Sequence, residues 1–201
     1  MENFRTAALF LFSYLAGGIP TGYLVVKRLY GYDIRTRGSG NPGTANVYRN
    51  AGALPGAVTL VVDALKGFAP VCLGLRLHPD HRGLAIGLGA AAIIGHNWTP
   101  FLGFKGGKGV ATSAGVFTAL LPLPMLVAAA AFVAAVKLSG HISVGSMTGA
   151  VVLPVAAGLC GAPRAFTAAA AGAGAMILVK HVSNLRRLLA NREHGIRHDS
   201  A

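Results

Sequence analysis

The sequence predicts an all-α integral membrane protein: a compact bundle of seven transmembrane helices, N-terminus outside and C-terminus cytoplasmic. Three observations predict it. Hydrophobic residues, glycine not counted, make up 53% of the 201 positions and charged residues only 12%. Soluble domains run near 45–50% with glycine included and about 25% charged. The apolar residues also gather into six long blocks, and Lys and Arg collect in the gaps between them, which is how membrane proteins fix their orientation. Disordered, collagen-like and disulfide-stapled chains are excluded. Residues 1–201 read as a single polytopic membrane domain.

The elements follow in order. Thr6–Val26 is about 20 residues, long enough to span, and lacks the short apolar region and cleavage site of a removable signal. Lys27–Gly52 is rich in glycine and arginine, has no apolar periodicity, and reads as a loop. Ala53–Leu77 and Gly83–Leu102 each read as a span, with the gap His78–Arg82 between them. Lys27, Arg28, Arg35, Arg37 and Arg49 in the first loop, and Arg186, Arg187, Arg192 and Arg197 in the tail, place both segments in the cytoplasm. Lys105 and Lys108 in the gap Phe104–Gly109 fall on the same side, so an even number of crossings must separate Gly109 from Lys180. Leu121-Pro122-Leu123-Pro124 supplies it by splitting Val110–Val136 into two pieces of about 12 residues, each only ~18 Å long. Such pieces are two short tilted spans or a re-entrant hairpin in a hydrocarbon core of ~30 Å. Ile142–Cys160 and Ala165–Val179 complete the count of seven. Gly and Ala runs such as Ala128–Ala131 allow close helix packing. Cys72 and Cys160 lie in apolar blocks without a CxxC pair and read as small buried hydrophobes.

The net charge of +12 is not that of a nucleic-acid binder, because the basic residues sit in gaps between spans. It suits anionic lipid headgroups and anionic substrates. The first loop reads Arg37-Gly-Ser39-Gly40-Asn41-Pro-Gly43-Thr-Ala-Asn46-Val-Tyr-Arg49. It formally matches GxGxxG, but no strand precedes it and no acidic residue follows at the ribose-binding spacing outside an apolar block, so the dinucleotide reading fails. What remains is a phosphate cradle. Glycines let backbone N–H groups converge on an anion, Ser39, Asn41 and Asn46 offer donors, and Arg49 offers a two-pronged fork. The gap beginning at Gly95-His96-Asn97 ends in Gly106-Gly107-Lys108-Gly109-Val-Ala-Thr112. It is one residue too short for a Walker A loop, and Lys108 is followed by glycine, which excludes a nucleotide triphosphatase. A glycine-lysine loop opening a helix still holds anions well. The sequon Asn97-Trp-Thr99 lies near the cytoplasmic face and is a chance match.

Asp63 and Lys66 put opposite charges three residues apart inside an apolar block, which reads equally as a functional site or as a self-paired bridge. His181 and Asn184 are i, i+3 neighbours leaving the last span, His181 being a candidate acid, base or anion donor. His194 and Asp199 form an H-x4-D spacing in a terminal tail expected to be mobile, without a scaffold for catalysis. An organic-phosphate transporter would use the same basic loops, but only one broken helix and no convincing repeat are visible.

Ser39–Arg49, Gly95–Thr112 and Lys180–Asn184 closely resemble the three signature regions of the bacterial acyl-phosphate:glycerol-3-phosphate acyltransferases, the PlsY family, and Asp63–Gly67 also looks like its pattern. Thr44-Ala45 stands where that family commonly has Ala-Thr. The resemblance implies a seven-helix membrane enzyme of the bacterial inner membrane with its site toward the cytoplasm. It implies transfer of an acyl chain from acyl phosphate to the sn-1 hydroxyl of glycerol 3-phosphate, giving lysophosphatidic acid and phosphate, the first step of phospholipid biosynthesis. Ser39, Arg49, Lys108, His181 and Asn184 would surround the reacting centre. Gly40, Asn41, Gly43, Asn46, His96, Gly106, Gly107, Gly109 and Thr112 would help hold the substrates. The implied partners are membrane lipid and the soluble enzyme that makes acyl phosphate; no metal, cofactor or nucleotide is implied.

Overall fold

A computed structural model describes residues 2–79 and 82–196, so Arg197 and Asp199, and with them the H-x4-D spacing, lie outside the described residues. Asp80 and His81 of the gap His78–Arg82 do too. The described residues are helical, and they fall into two compact units, Met1–Leu120 and Leu121–Ala201.

In the first unit the block expected as one span is two helices, α1 (Glu2–Gly18) and α2 (Thr21–Tyr30), bent by 41° at the break. Pro20 has no N–H with which to continue the ladder, and Gly17-Gly18 before it are weak helix formers. The loop expected over Lys27–Gly52 also carries more structure than its composition suggests. A 3-10 turn forms over Ile34–Thr36, capped by the Asp33 carboxylate, which accepts the Arg35 N–H at 2.9 Å. A helix, α3, follows over Thr44–Ala51. Both rest on a small apolar cluster of Val26, Ile34 and Val47, flanked by Tyr23 and Tyr32.

Next come α4 (Ala53–Leu77), α5 (Arg82–Asn97) and α6 (Val110–Leu120). Glycines set their spacing. A methyl group on Gly115 or Gly67 would overlap the Ala64 or Thr112 carbonyl where α4 meets α6, and one on Gly17 would overlap the Ala92 carbonyl where α1 meets α5. Small residues at helix crossings are how membrane helices gain contact without a hydrophobic drive between them. Along α4 the usual inside-out relation of a soluble helix is reversed. Thr59, Asp63 and Lys66 are buried while Leu60, Val61 and Leu65 are exposed. In water that arrangement would be unstable; against lipid tails it is the favourable one.

The second unit holds α7 (Pro122–Ser139), α8 (Ile142–Leu159), α9 (Arg164–Lys180) and α10 (Val182–Leu189). The break at Leu121-Pro122 falls where expected, but the pieces are 11 and 18 residues, not two of about 12. Pro122 starts α7 at its first turn, where the missing N–H costs nothing, so α7 runs on to full length. As far as Ile196 the tail is also more ordered than expected. After α10 the Ile196 N–H reaches the Gly140 carbonyl at 2.9 Å, tying the chain to the turn between α7 and α8. Nor are the cysteines both buried: Cys72 is half-buried and Cys160, at the end of α8, is exposed, and both are free thiols.

Among the described residues three helices, α4, α7 and α8, are long and apolar enough to cross a membrane, or up to five if the bent pairs α1–α2 and α9–α10 each count as one span.

Candidate active site

The first glycine loop is built by its own side chains. Gly38 and Gly40 take left-handed φ values of +55° and +70°, which only glycine adopts readily, and between them the chain turns Ser39 back toward α3. Asn46, 2% exposed, is the hub. Its Nδ2 donates to the Ile34 and Arg37 carbonyls at 3.2 and 3.1 Å. Its Oδ1 accepts from the Ser39 N–H and the Asn50 amide, each at 3.0 Å. The side chain expected to offer a donor to substrate is thus committed to shaping the loop. The Asn41 side-chain oxygen Oδ1 accepts the Gly43 N–H at 2.9 Å, opening α3, whose last turn presents Arg49. Ser39 and Arg49 are both half-buried.

Arg35 grips Asp33 with a contact of 2.7 Å, and this hydrogen bonding holds the Asp33 carboxyl below its ordinary range against a smaller upward push from burial. The guanidinium of Arg37 lies 4.8 Å from the centre of the Tyr32 ring.

The second glycine segment hangs from the end of α5. The His96 carbonyl accepts the Gly107 N–H at 3.0 Å and the Asn97 carbonyl accepts the Gly106 N–H at 3.3 Å. Gly109, at φ +79°, leads into α6 and leaves Lys108 half-buried just before the helix N-terminus, where positive potential gathers. Thr112 is fully buried on the first turn of α6, its methyl side turned toward Gly67. Asn97 and Thr99 are buried, and the Thr99 hydroxyl donates to the Gly18 carbonyl, which is incompatible with a glycan at that sequon.

The two segments touch: Asn41 Nδ2 donates to the Gly106 carbonyl at 3.5 Å, across 65 positions of sequence. Behind them, Asp63 and Lys66 pair at 2.8 Å and His96 Nδ1 lies 3.9 Å from the second Asp63 oxygen.

In the second unit His181 and Asn184 are both buried at the junction of α9 and α10. His181 Nδ1 lies 2.8 Å from the Ile177 carbonyl; a carbonyl only accepts, so that nitrogen carries a proton. Asn184 and Arg187 both donate to Glu193, a residue the sequence reading passed over. Burial pushes the Glu193 carboxyl up, but the hydrogen bonds from Asn184 and Arg187 outweigh it and hold the group below its ordinary value. The available signal was one of only two acids, with Asp199, in a basic tail.

The chain matches the sequence profile of the glycerol-3-phosphate acyltransferases over residues 7–191. The chain belongs to the glycerol-3-phosphate acyltransferase family. The glycerol-3-phosphate acyltransferase of Trichlorobacter lovleyi is 44% identical over 191 residues, covering 94% of this chain and 97% of its own. Glycerol-3-phosphate acyltransferase 2 of Moorella thermoacetica is 44% identical over 182 residues, covering 90% and 93%. Two crystal structures of PlsY, an integral membrane glycerol 3-phosphate acyltransferase, share the fold. Its glycerol 3-phosphate form aligns with a TM-score of 0.90 at 34% identity over 95% of both chains. Its lysophosphatidic acid form aligns at 0.87 and 32%, also over 95% of each. With the reversed polarity of α4, this membership makes the chain a helical membrane protein.

Proposed function

We propose that this glycerol-3-phosphate acyltransferase takes its acyl chain from acyl phosphate and places it on the sn-1 hydroxyl of glycerol 3-phosphate. The observation that carries the reading is the contact between two glycine-rich, basic segments, Asn41 on one and Gly106 on the other. One such segment holds one phosphate; two in contact suit two phosphorylated reactants.

The chemistry fits the residue types. The hydroxyl oxygen attacks the acyl carbonyl carbon, the bond from that carbon to the phosphate oxygen breaks, and inorganic phosphate leaves. Acyl phosphate is a mixed anhydride with a good leaving group, so no covalent enzyme intermediate is needed, and positioning with charge compensation supplies the catalysis. Arg49 and Lys108 offset the two anionic substrates in a site partly screened from water. Ser39, His181 and Asn184 complete the reacting centre, the last two on the strength of the family motif. Backbone N–H groups of Gly40–Gly43 and Gly106–Gly109 hold the phosphates, and Asn46 acts by shaping the first loop. The hydroxyl proton passes to a substrate phosphate oxygen, with His181 and His96 as the competing acceptors. Seven crossings, with α1–α2 and α9–α10 each as one span and α5 and α6 as the two short members, put the N-terminus outside. The basic segments then face the cytoplasm from the inner membrane, where a soluble enzyme delivers the acyl phosphate. Both units then form one polytopic membrane domain.

Arg49→Ala and Lys108→Ala test this directly. Each removes a charge-compensating contact worth ~3 kcal/mol, so each lowers turnover by at least ~10²-fold. Near-parental rates in both variants would place the site elsewhere.

A further inference from the structure

We infer that Asp63 and Lys66 are positioning residues for the transfer: they hold His96, and His96 holds the loop that carries Lys108. Inside α4 an apolar pair of similar volume would be at least as stable as a buried ion pair, so stability alone does not account for charges that are 2% and 9% exposed. Their contacts do. The Lys66 ammonium sits 2.8 Å from Asp63 Oδ1 and donates to the Ile19 carbonyl at 2.8 Å, which fastens α4 to the break between α1 and α2. The other carboxylate oxygen faces His96 Nδ1 at 3.9 Å, beyond direct hydrogen-bond reach, and a carboxylate on that side favours the proton on Nδ1 by its charge.

The opposite edge of the same ring is pressed against the catalytic loop. A methyl group on Gly107 would collide with His96 Nε2, and the His96 carbonyl is the acceptor for the Gly107 N–H. A ring facing the Asp63 carboxylate at one edge and touching Gly107 at the other sets the place of the residue immediately before Lys108. Through Gly106 and Asn41 the same placement extends to the first glycine loop. His96, buried between the two, is a spacer in this arrangement.

The inference rests on the reading of Gly106–Gly109 and Lys108 as a phosphate-holding loop, and the test separates the two. Parent and the double variant Asp63→Asn/Lys66→Met, purified and placed in lipid nanodiscs, are compared by thermal melting and by steady-state kinetics with both substrates. Removing both charges together avoids leaving one unpaired, so the double variant loses only the Lys66–Ile19 hydrogen bond and melts within a few degrees of the parent. Its KM for a phosphorylated substrate rises roughly 10-fold or more while kcat stays within about 3-fold, the signature of lost binding geometry. Parental KM values at parental melting temperature would show the pair to be structural only. A fall in kcat with unchanged KM would overturn the route through the loop. Should the double variant melt early, Gly107→Ala and Gly107→Ala/His96→Ala decide: removing the ring restores part of the kcat/KM lost by the alanine, and no recovery would overturn the contact. A parent without phosphate release dependent on glycerol 3-phosphate would defeat the acyltransferase reading itself.

Discussion

Asn46 shows how a single side chain can shape the loop of a proposed site while its own amide is committed to that loop. Its amide satisfies two carbonyls, those of Ile34 and Arg37, and accepts two donors, from Ser39 and Asn50. Replacing the amide with a carboxylate of the same size leaves those two carbonyls without donors in a buried setting, at about 1–3 kcal/mol each. Asn46→Asp therefore lowers kcat/KM at least ~10-fold in steady-state assays; parental kinetics would mean the loop tolerates the loss. The contact between the two glycine-punctuated stretches that carry Ser39, Arg49 and Lys108 is in the structure, and the roles of those three side chains stay a proposal. The stretches themselves were legible in the sequence. The division of labour within them was not. Whether Asn46 points at a ligand or at its own loop depends on Ile34 and Arg37 being turned back toward it, and no spacing rule states that.

Among elements, α4 was read with its observed limits because its 25 residues form one apolar run. The short helices α3 and α10 were missed: each has only eight residues, half of them apolar, too short a run to stand out from the polar stretch around it. Proline alone did not decide helix ends: Pro70 and Pro154 lie inside α4 and α8, whereas Pro20, following two glycines, separates α1 from α2. The terminal segment after α10 has a measurable signature. Glu193, its side chain 1% exposed, is held below its ordinary value in the folded protein, so it stabilises the fold at neutral pH. That contribution fades as pH falls below about 4.3 toward the lower folded value. The Asp33–Arg35 pair, lying on the surface at 26% and 35% side-chain exposure, contributes less. Melting of the purified protein in detergent between about pH 3.5 and 7 should show the parent losing stability on the acid side. Glu193→Gln melts lower at pH 7 with a flatter acid limb. An acid limb unchanged by Glu193→Gln would assign the loss to other carboxylates.

For the whole molecule, the membrane reading came from composition and block length, and it agrees with the outward Leu60, Val61 and Leu65 and inward Asp63 of α4. The number of crossings was argued from charge parity, which located the break at Pro122 but not the one at Pro20, where no parity conflict drew attention. Contacts between residues far apart in sequence, Asn41 with Gly106 and Asp63 with His96, were beyond any local pattern. The first of them brings the two glycine motifs together, which is what the proposed site for two phosphorylated reactants requires. The central claim is met most directly by following phosphate release from acyl phosphate with the purified protein in lipid, with and without glycerol 3-phosphate. The account predicts release only when glycerol 3-phosphate is present, with lysophosphatidic acid formed in equal amount. Release that ignores the acceptor, or none at all from well-folded protein, would contradict it.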